Sequence, residues 1–127
     1  MKLLCDTRIL LWAAGMPDRL PPAARALLEE PAHAPVFSVV SLWEIVVKRG
    51  LGRPDFRVDP GRLRRGLLDN GYEELPVTGP HVLAVGCLPP LHRDPFDRLL
   101  VAQALTEGFR LVTADPAVEA YGPAARG

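Results

Sequence analysis

The feature that most constrains this chain is the alternation of two kinds of segment along it. Short apolar or β-branched runs, "KLLCD", "APVFSVV", "YEELPV" and "FRLVTAD", are separated by stretches that carry helix punctuation. Such runs read as strands buried on both faces. Between them, "TRILLWAAG", "PPAARALLEE", "SLWEIVVKRG", "DPGRLRRGLLDNG" and "GPHVLAVGCL" read as helices, with Pro, Ser or Asp at their starts and Gly near several of their ends. "DPFDRLLVAQALTEG" is apolar around most of its circumference, from Phe96 through Leu105, so it is expected at the centre of the fold. Strand–helix alternation of this kind predicts an α/β protein: a parallel sheet of four or five strands with helices on both faces. The ending "YGPAARG" offers no β-branched residues for a fifth strand.

At 127 residues the chain is expected to form a single domain over 1–127, and its 48 % hydrophobic and 24 % charged content suits a globular core. No apolar run is long enough to cross a bilayer. Asp6 and Arg8 interrupt what would otherwise be the apolar centre of a signal peptide, so the chain reads as cytoplasmic. Cys5 and Cys87 lie far apart among apolar neighbours and are expected as buried reduced thiols. His33, His81 and His92 have no metal-ligand spacing and are expected in loops or on the surface. Formal net charge is zero, which excludes a globally basic nucleic-acid binder. Locally, however, Lys48, Arg49, Arg53, Arg57, Arg62, Arg64 and Arg65 face only Asp55 and Asp59. That stretch is either a phosphate-contacting surface or a solvated helix face.

The acids are placed more tellingly. Asp6 ends the first strand and Asp115 the last. Asp94 and Asp97 open the central helix, and Glu44 sits in the first turn of the helix after the second strand. In a right-handed parallel sheet, strand ends and the starts of the following helices share one edge, where ligands bind at the point of strand-order reversal. Each acid also has a purely structural reading. Asp6, Asp94 and Asp115 suit N-caps or turns, and Ser41 to Glu44 fits a capping box. Together they predict crowded carboxylates with no Lys or Arg from the core to neutralise them. A hard divalent cation, Mg²⁺ or Mn²⁺, resolves such crowding. Carboxylate-held metal in turn suits phosphodiester hydrolysis by activated water.

The segments "LLCDTRILLW", "SVVSLWEIVVKRGLG", "HRDPFDRLLVAQA" and "LVTAD" resemble PIN-domain ribonucleases, in particular VapC-type toxins, in the family's order and over nearly the whole chain. The resemblance implies a three-layer PIN-like fold and a Mg²⁺- or Mn²⁺-dependent endoribonuclease acting on RNA such as tRNA or rRNA. It also implies a homodimer and a cognate VapB-type antitoxin whose tail covers the acidic groove. Carried over residue by residue, the family's acidic quartet falls on Asp6, Glu44, Asp97 and Asp115. The aspartates would hold metal, and the glutamate would help directly or through water. Asp94 matches an additional acid, a cap or an auxiliary ligand. Thr7 and Thr113 match hydroxyl positions that orient carboxylates or water, and Arg98 would contact phosphate or pair with an acid. Arg62, Arg64 and Arg65 are the expected RNA contacts, and Trp12 and Trp43 the possible partner contacts.

Three rivals stand beside this reading. An aspartyl phosphatase needs a second acid two residues after Asp6, where Arg8 stands. A phospho-acceptor domain needs a lysine after a late strand, and the lysines are Lys2 and Lys48. A catalytically silent RNA- or protein-binding domain would keep the acids only as caps.

Overall fold

The computed structural model describes residues 1–91 and 93–122. Its elements are β1 (Lys2–Cys5), α1 (Thr7–Gly15), a 3₁₀ turn (Pro17–Arg19), α2 (Pro22–Glu29), β2 (Ala34–Ser38), α3 (Val39–Gly50), α4 (Pro60–Asp69), β3 (Glu73–Leu75), α5 (Gly79–Val85), α6 (Pro95–Glu107), β4 (Arg110–Val112) and α7 (Pro116–Glu119). The four strands form one sheet in the order β3-β2-β1-β4. Every pairing is parallel, with Leu4 opposite Val36 on one side and Leu111 on the other. Strand order therefore reverses between β1 and β4. Residues 123–127, most of the ending that offered no β-branched residues for a fifth strand, lie outside the described residues.

Strand periodicity divides the core in two. Leu3, Cys5, Phe37 and Val112 face a cluster completed by Ile9 and Leu10 of α1, Ala24 of α2, Ile45 of α3, and Leu63 and Leu67 of α4. Leu4, Val36 and Leu111 face the other way, onto Phe96, Leu100, Val101 and Ala104 of α6 and Val118 of α7. The result is three layers, helices–sheet–helices, as the alternation implied. The Leu100–Ala104 turn of α6 is buried throughout, which accounts for apolar residues on most of its sides. The helix stops at Gly108, whose φ of 71° is open to glycine and costly for other residues.

The boundary between β2 and α3 differs from the sequence expectation. Val39 and Val40 are β-branched and read as strand, yet the helix begins at Val39. Ser38 is the cap: its hydroxyl accepts from Val40 N at 3.0 Å. Ser41 is therefore inside the helix, the expected Ser41–Glu44 capping box does not form, and Glu44 lies in the second turn. The capping box that does form joins Thr78 and His81 at the start of α5. His81 is fully buried rather than at the surface. Its ring accepts from Thr78 N at 3.1 Å and meets Glu107 Oε2 at 3.0 Å, a polar anchor between α5 and α6. Cys5 is buried as expected, and burial pushes its thiol far above the usual range. Cys87, expected to be buried, is exposed in the turn that follows α5.

Candidate functional site

The reversal point between β1 and β4 opens into a cleft of about 300 Å³ lined by Asp6, Thr7, Arg8, Glu44, Lys48, Arg53, Asp94, Asp97 and Asp115. Four separated segments thus bring five acids to one place. Three of these acids also do structural work. Asp6 caps α1 through Ile9 N at 2.9 Å. Asp94 caps α6 through Phe96 N at 2.8 Å and Asp97 N at 3.2 Å. Asp115 caps α7 through Ala117 N at 2.9 Å. Capping each uses one oxygen and sets the carboxylate at a helix N-terminus, where the dipole favours its charge. The structural reading and the site reading are therefore compatible.

Two threonines tie the acids to one another. Thr113 hydrogen-bonds Asp6 and accepts from Asp115 N at 3.1 Å. Thr7 Oγ1 lies 2.5 Å from Glu44 Oε1 and 2.9 Å from Ser41 Oγ. A hydroxyl has one proton and a carboxylate only accepts, so Thr7 donates to Glu44 and receives from Ser41. Both threonines are buried. Asp6 is 6 % exposed, and its carboxyl is pushed up to about 6. Burial is the main cause, reinforced by the charges of Glu44 and Asp115 and opposed by the hydrogen bonds from Thr113 and Ile9.

One expectation is corrected here. The cleft does contain a cation from the helices: Lys48 Nζ is 2.6 Å from Glu44 Oε2 and 3.6 Å from Asp94 Oδ2. The signal was present in the sequence, since a Glu and a Lys four residues apart meet on one helix face. Phe56, which follows α3 and is buried beneath Lys48, gave no such signal. Arg98, in contrast, is not among the residues lining the cleft. Its guanidinium reaches Pro89 O, Val85 O and the Tyr121 hydroxyl, which ties α6 to α5 and to the segment after α7. Arg62, Arg64 and Arg65 are exposed on α4 and do not line the cleft; Arg64 is engaged by Glu74 at 2.6 and 3.2 Å. The glutamate holds the Arg64 guanidinium above its usual range.

The donor set is all oxygen, with carboxylates at the open ends of helices, and suits a hard divalent cation. As the side chains lie, no three His, Cys, Asp or Glu among the described residues stand close enough to share one ion. A larger groove of about 540 Å³ adjoins the cleft at Arg8 and is walled by Trp12, Met16, Arg19 and Arg57. Trp43 is 55 % exposed and packs edge-on against Phe96.

Architecture and cleft together define a class: a three-layer α/β domain with carboxylates gathered at the reversal point of a parallel sheet. The PIN domain profile matches residues 3–122, and the chain belongs to the PIN domain family. Solved structures agree on the fold. VapBC2 from Rickettsia felis, bound to a DNA fragment from its promoter, aligns with a TM-score of 0.69 at 17 % identity, over 99 % of this chain and 96 % of that one. A toxin–antitoxin complex from Klebsiella pneumoniae aligns at 0.63 and 19 %, covering 96 % and 93 %. VapBC-1 from nontypeable Haemophilus influenzae aligns at 0.65 and 17 %, covering 95 % and 92 %. No curated protein sequence matches the chain. Among the described residues, no helix is long and apolar enough to cross a membrane.

Proposed function

We propose that this protein is a metal-dependent endoribonuclease, the toxin of a VapBC-type toxin–antitoxin pair. The observation that carries the reading is the convergence of Asp6, Glu44, Asp94, Asp97 and Asp115 on one cleft. Caps account for Asp6, Asp94 and Asp115 at this edge but give no reason for Glu44 and Asp97 to join them. Similarity in fold to toxin–antitoxin complexes supports the biological assignment.

Asp6, Asp97 and Asp115 are the residues that would hold Mg²⁺ or Mn²⁺, with Asp94 as cap and auxiliary. Bound there, such an ion lowers the pKa of water and neutralises charge developing on the phosphate. Glu44 has both oxygens engaged, by Thr7 and Lys48, and so acts through water. Thr7 and Thr113 fix the orientations of Glu44 and Asp6. The substrate is RNA, tRNA or rRNA, with Arg62, Arg64 and Arg65 supplying phosphate contacts. The working form is a cytoplasmic homodimer held in check by a VapB-type antitoxin over the cleft. The Trp12 groove and the exposed Trp43 face suit protein contacts.

A catalytically silent binding domain is the second reading. It is favoured by the presence of Lys48 among the acids and by the lack of a ready-made three-ligand cluster among the described residues. Cleavage of a total tRNA and rRNA pool by antitoxin-free protein separates the two, run with Mg²⁺, Mn²⁺ or EDTA beside Asp97→Asn. Discrete metal-dependent fragments that vanish in the variant are expected. No cleavage together with no Mn²⁺ binding would favour the silent domain.

A further inference from the structure

Lysine is a strongly hydrated cation on a flexible stem, yet the Lys48 side chain is only 16 % exposed. A charge held that far from water is costly unless specific partners replace its hydration. Lys48 has four. Glu44 Oε2 at 2.6 Å and Asp94 Oδ2 at 3.6 Å come from different segments, so the ammonium bridges α3 to the start of α6. The Phe56 ring centroid at 4.8 Å and the Phe96 centroid at 5.7 Å add cation–π attraction on buried rings. The other two cations lining the cleft are committed elsewhere. Arg8 and Arg53 both pair with Asp55, at 2.8 and 3.6 Å. Of the three cations that line the cleft, Lys48 is therefore the one that the fold dedicates to the acids.

We propose that Lys48 is a resident counter-cation of the acidic cleft, which holds the metal-free carboxylates together and opposes the loading of a divalent cation. Two effects give the opposition. Its positive charge repels any ion placed among the same acids. It also occupies Glu44 Oε2 while Thr7 occupies Oε1, which withholds Glu44 from direct coordination. The metal-free effect stands on the observed contacts alone; the opposition rests on the metal-dependent reading above.

The test is Mn²⁺ titration by calorimetry, with thermal melts in EDTA and in saturating Mn²⁺, on the full chain and its Lys48→Met, Lys48→Arg and Asp97→Asn variants. Lys48→Met is expected to melt lower than wild type in EDTA, to bind Mn²⁺ about tenfold more tightly, and to gain more from the metal. Lys48→Arg, which keeps the charge, should stay within about twofold of wild type. Should Lys48→Met not fold, Lys48→Gln takes its place. Wild-type binding with equal or weaker binding by the uncharged variant would overturn the opposition and leave the metal reading standing. No Mn²⁺ binding by wild type or any variant would overturn both.

Discussion

The two ends of α6 carry two polar clusters of opposite character, each part buried and part open. At the C-terminal end, donors meet acceptors. His81 accepts a hydrogen bond from Thr78 N on one ring nitrogen and meets Glu107 with the other, and Gln103 donates to Pro76 O at 3.2 Å. Among the described residues one acceptor, Gln103 Oε1, remains without a partner. At the N-terminal end, Asp94 and Asp97 join Asp6, Glu44 and Asp115, and of the cations lining that cleft Lys48 is the one committed to them. A cluster in which most donors and acceptors are paired serves to lock helices together. A cluster in which carboxylates raise one another's energy, as Glu44 and Asp115 do at Asp6, is suited to a ligand that brings positive charge. The contrast separates the structural from the functional polar group on the same helix.

The largest expected effect lies at the acidic end. Asp97→Asn keeps the shape of the first turn of α6 but removes one charge. Cleavage should fall by at least about a thousandfold with little change in melting temperature. A variant within tenfold of wild type would remove Asp97 from the chemistry. The balanced end should respond the other way. His81→Leu leaves the Thr78 amide and the Glu107 carboxylate without their partner and should cost about 3 kcal/mol of stability. Mn²⁺ affinity of the folded fraction should not change. Loss of metal binding without loss of stability would break the comparison, because the two ends would then act as one unit.

The parallel sheet, its helices on both faces and the central position of α6 were legible because they follow from apolar periodicity and helix punctuation. The convergence of Asp6, Glu44, Asp94, Asp97 and Asp115 was legible for the same reason: topology alone carries strand ends and helix starts to one edge. What was not legible depends on side-chain packing across segments. His81 looked like a surface residue because nothing local marks a ring that finds Glu107 at a distance of 26 residues. Lys48 looked like part of a basic stretch, although its spacing from Glu44 held the clue. Arg98 stood beside Asp97 in sequence, but carbonyls on α5 and in the loop after it draw its guanidinium.

A smaller effect tests the crowding of carboxylates around Asp6. In its metal-free form the protein holds Asp6 with its carboxyl raised to about 6, chiefly by burial, against an ordinary value of 3.8. Below about pH 4 the group is protonated in folded and unfolded chains alike, and it carries no penalty. Between about pH 4 and 6 the unfolded chain ionises while the native carboxyl keeps its proton, so stability is lost across that window relative to a neutral side chain and stays lost above it. Asparagine caps helices as well as aspartate does. Asp6→Asn in EDTA should therefore be more stable than wild type by about 3 kcal/mol at pH 7, with the difference closing towards pH 4. Saturating Mn²⁺ should reverse the ranking. Equal stability across that range would mean that Lys48 and the threonines already neutralise the cleft.

The smallest effect concerns α4, the basic region outside the cleft. If Arg62 and Arg65 contact RNA phosphates, each neutral replacement should flatten the salt dependence of binding. On single-stranded RNA the expected change is about 0.7 in the log–log slope for each phosphate that is no longer neutralised. Arg64 is the internal control. Its guanidinium is paired through two atoms with Glu74, so it presents less net charge to a ligand than its neighbours. Arg64→Gln should therefore change the slope less than Arg62→Gln or Arg65→Gln. Equal changes at all three would show that RNA displaces Glu74 and that the pair is only a resting contact. No change at any of them would assign the α4 arginines to a solvated helix face and leave RNA affinity to the arginines around the Trp12 groove.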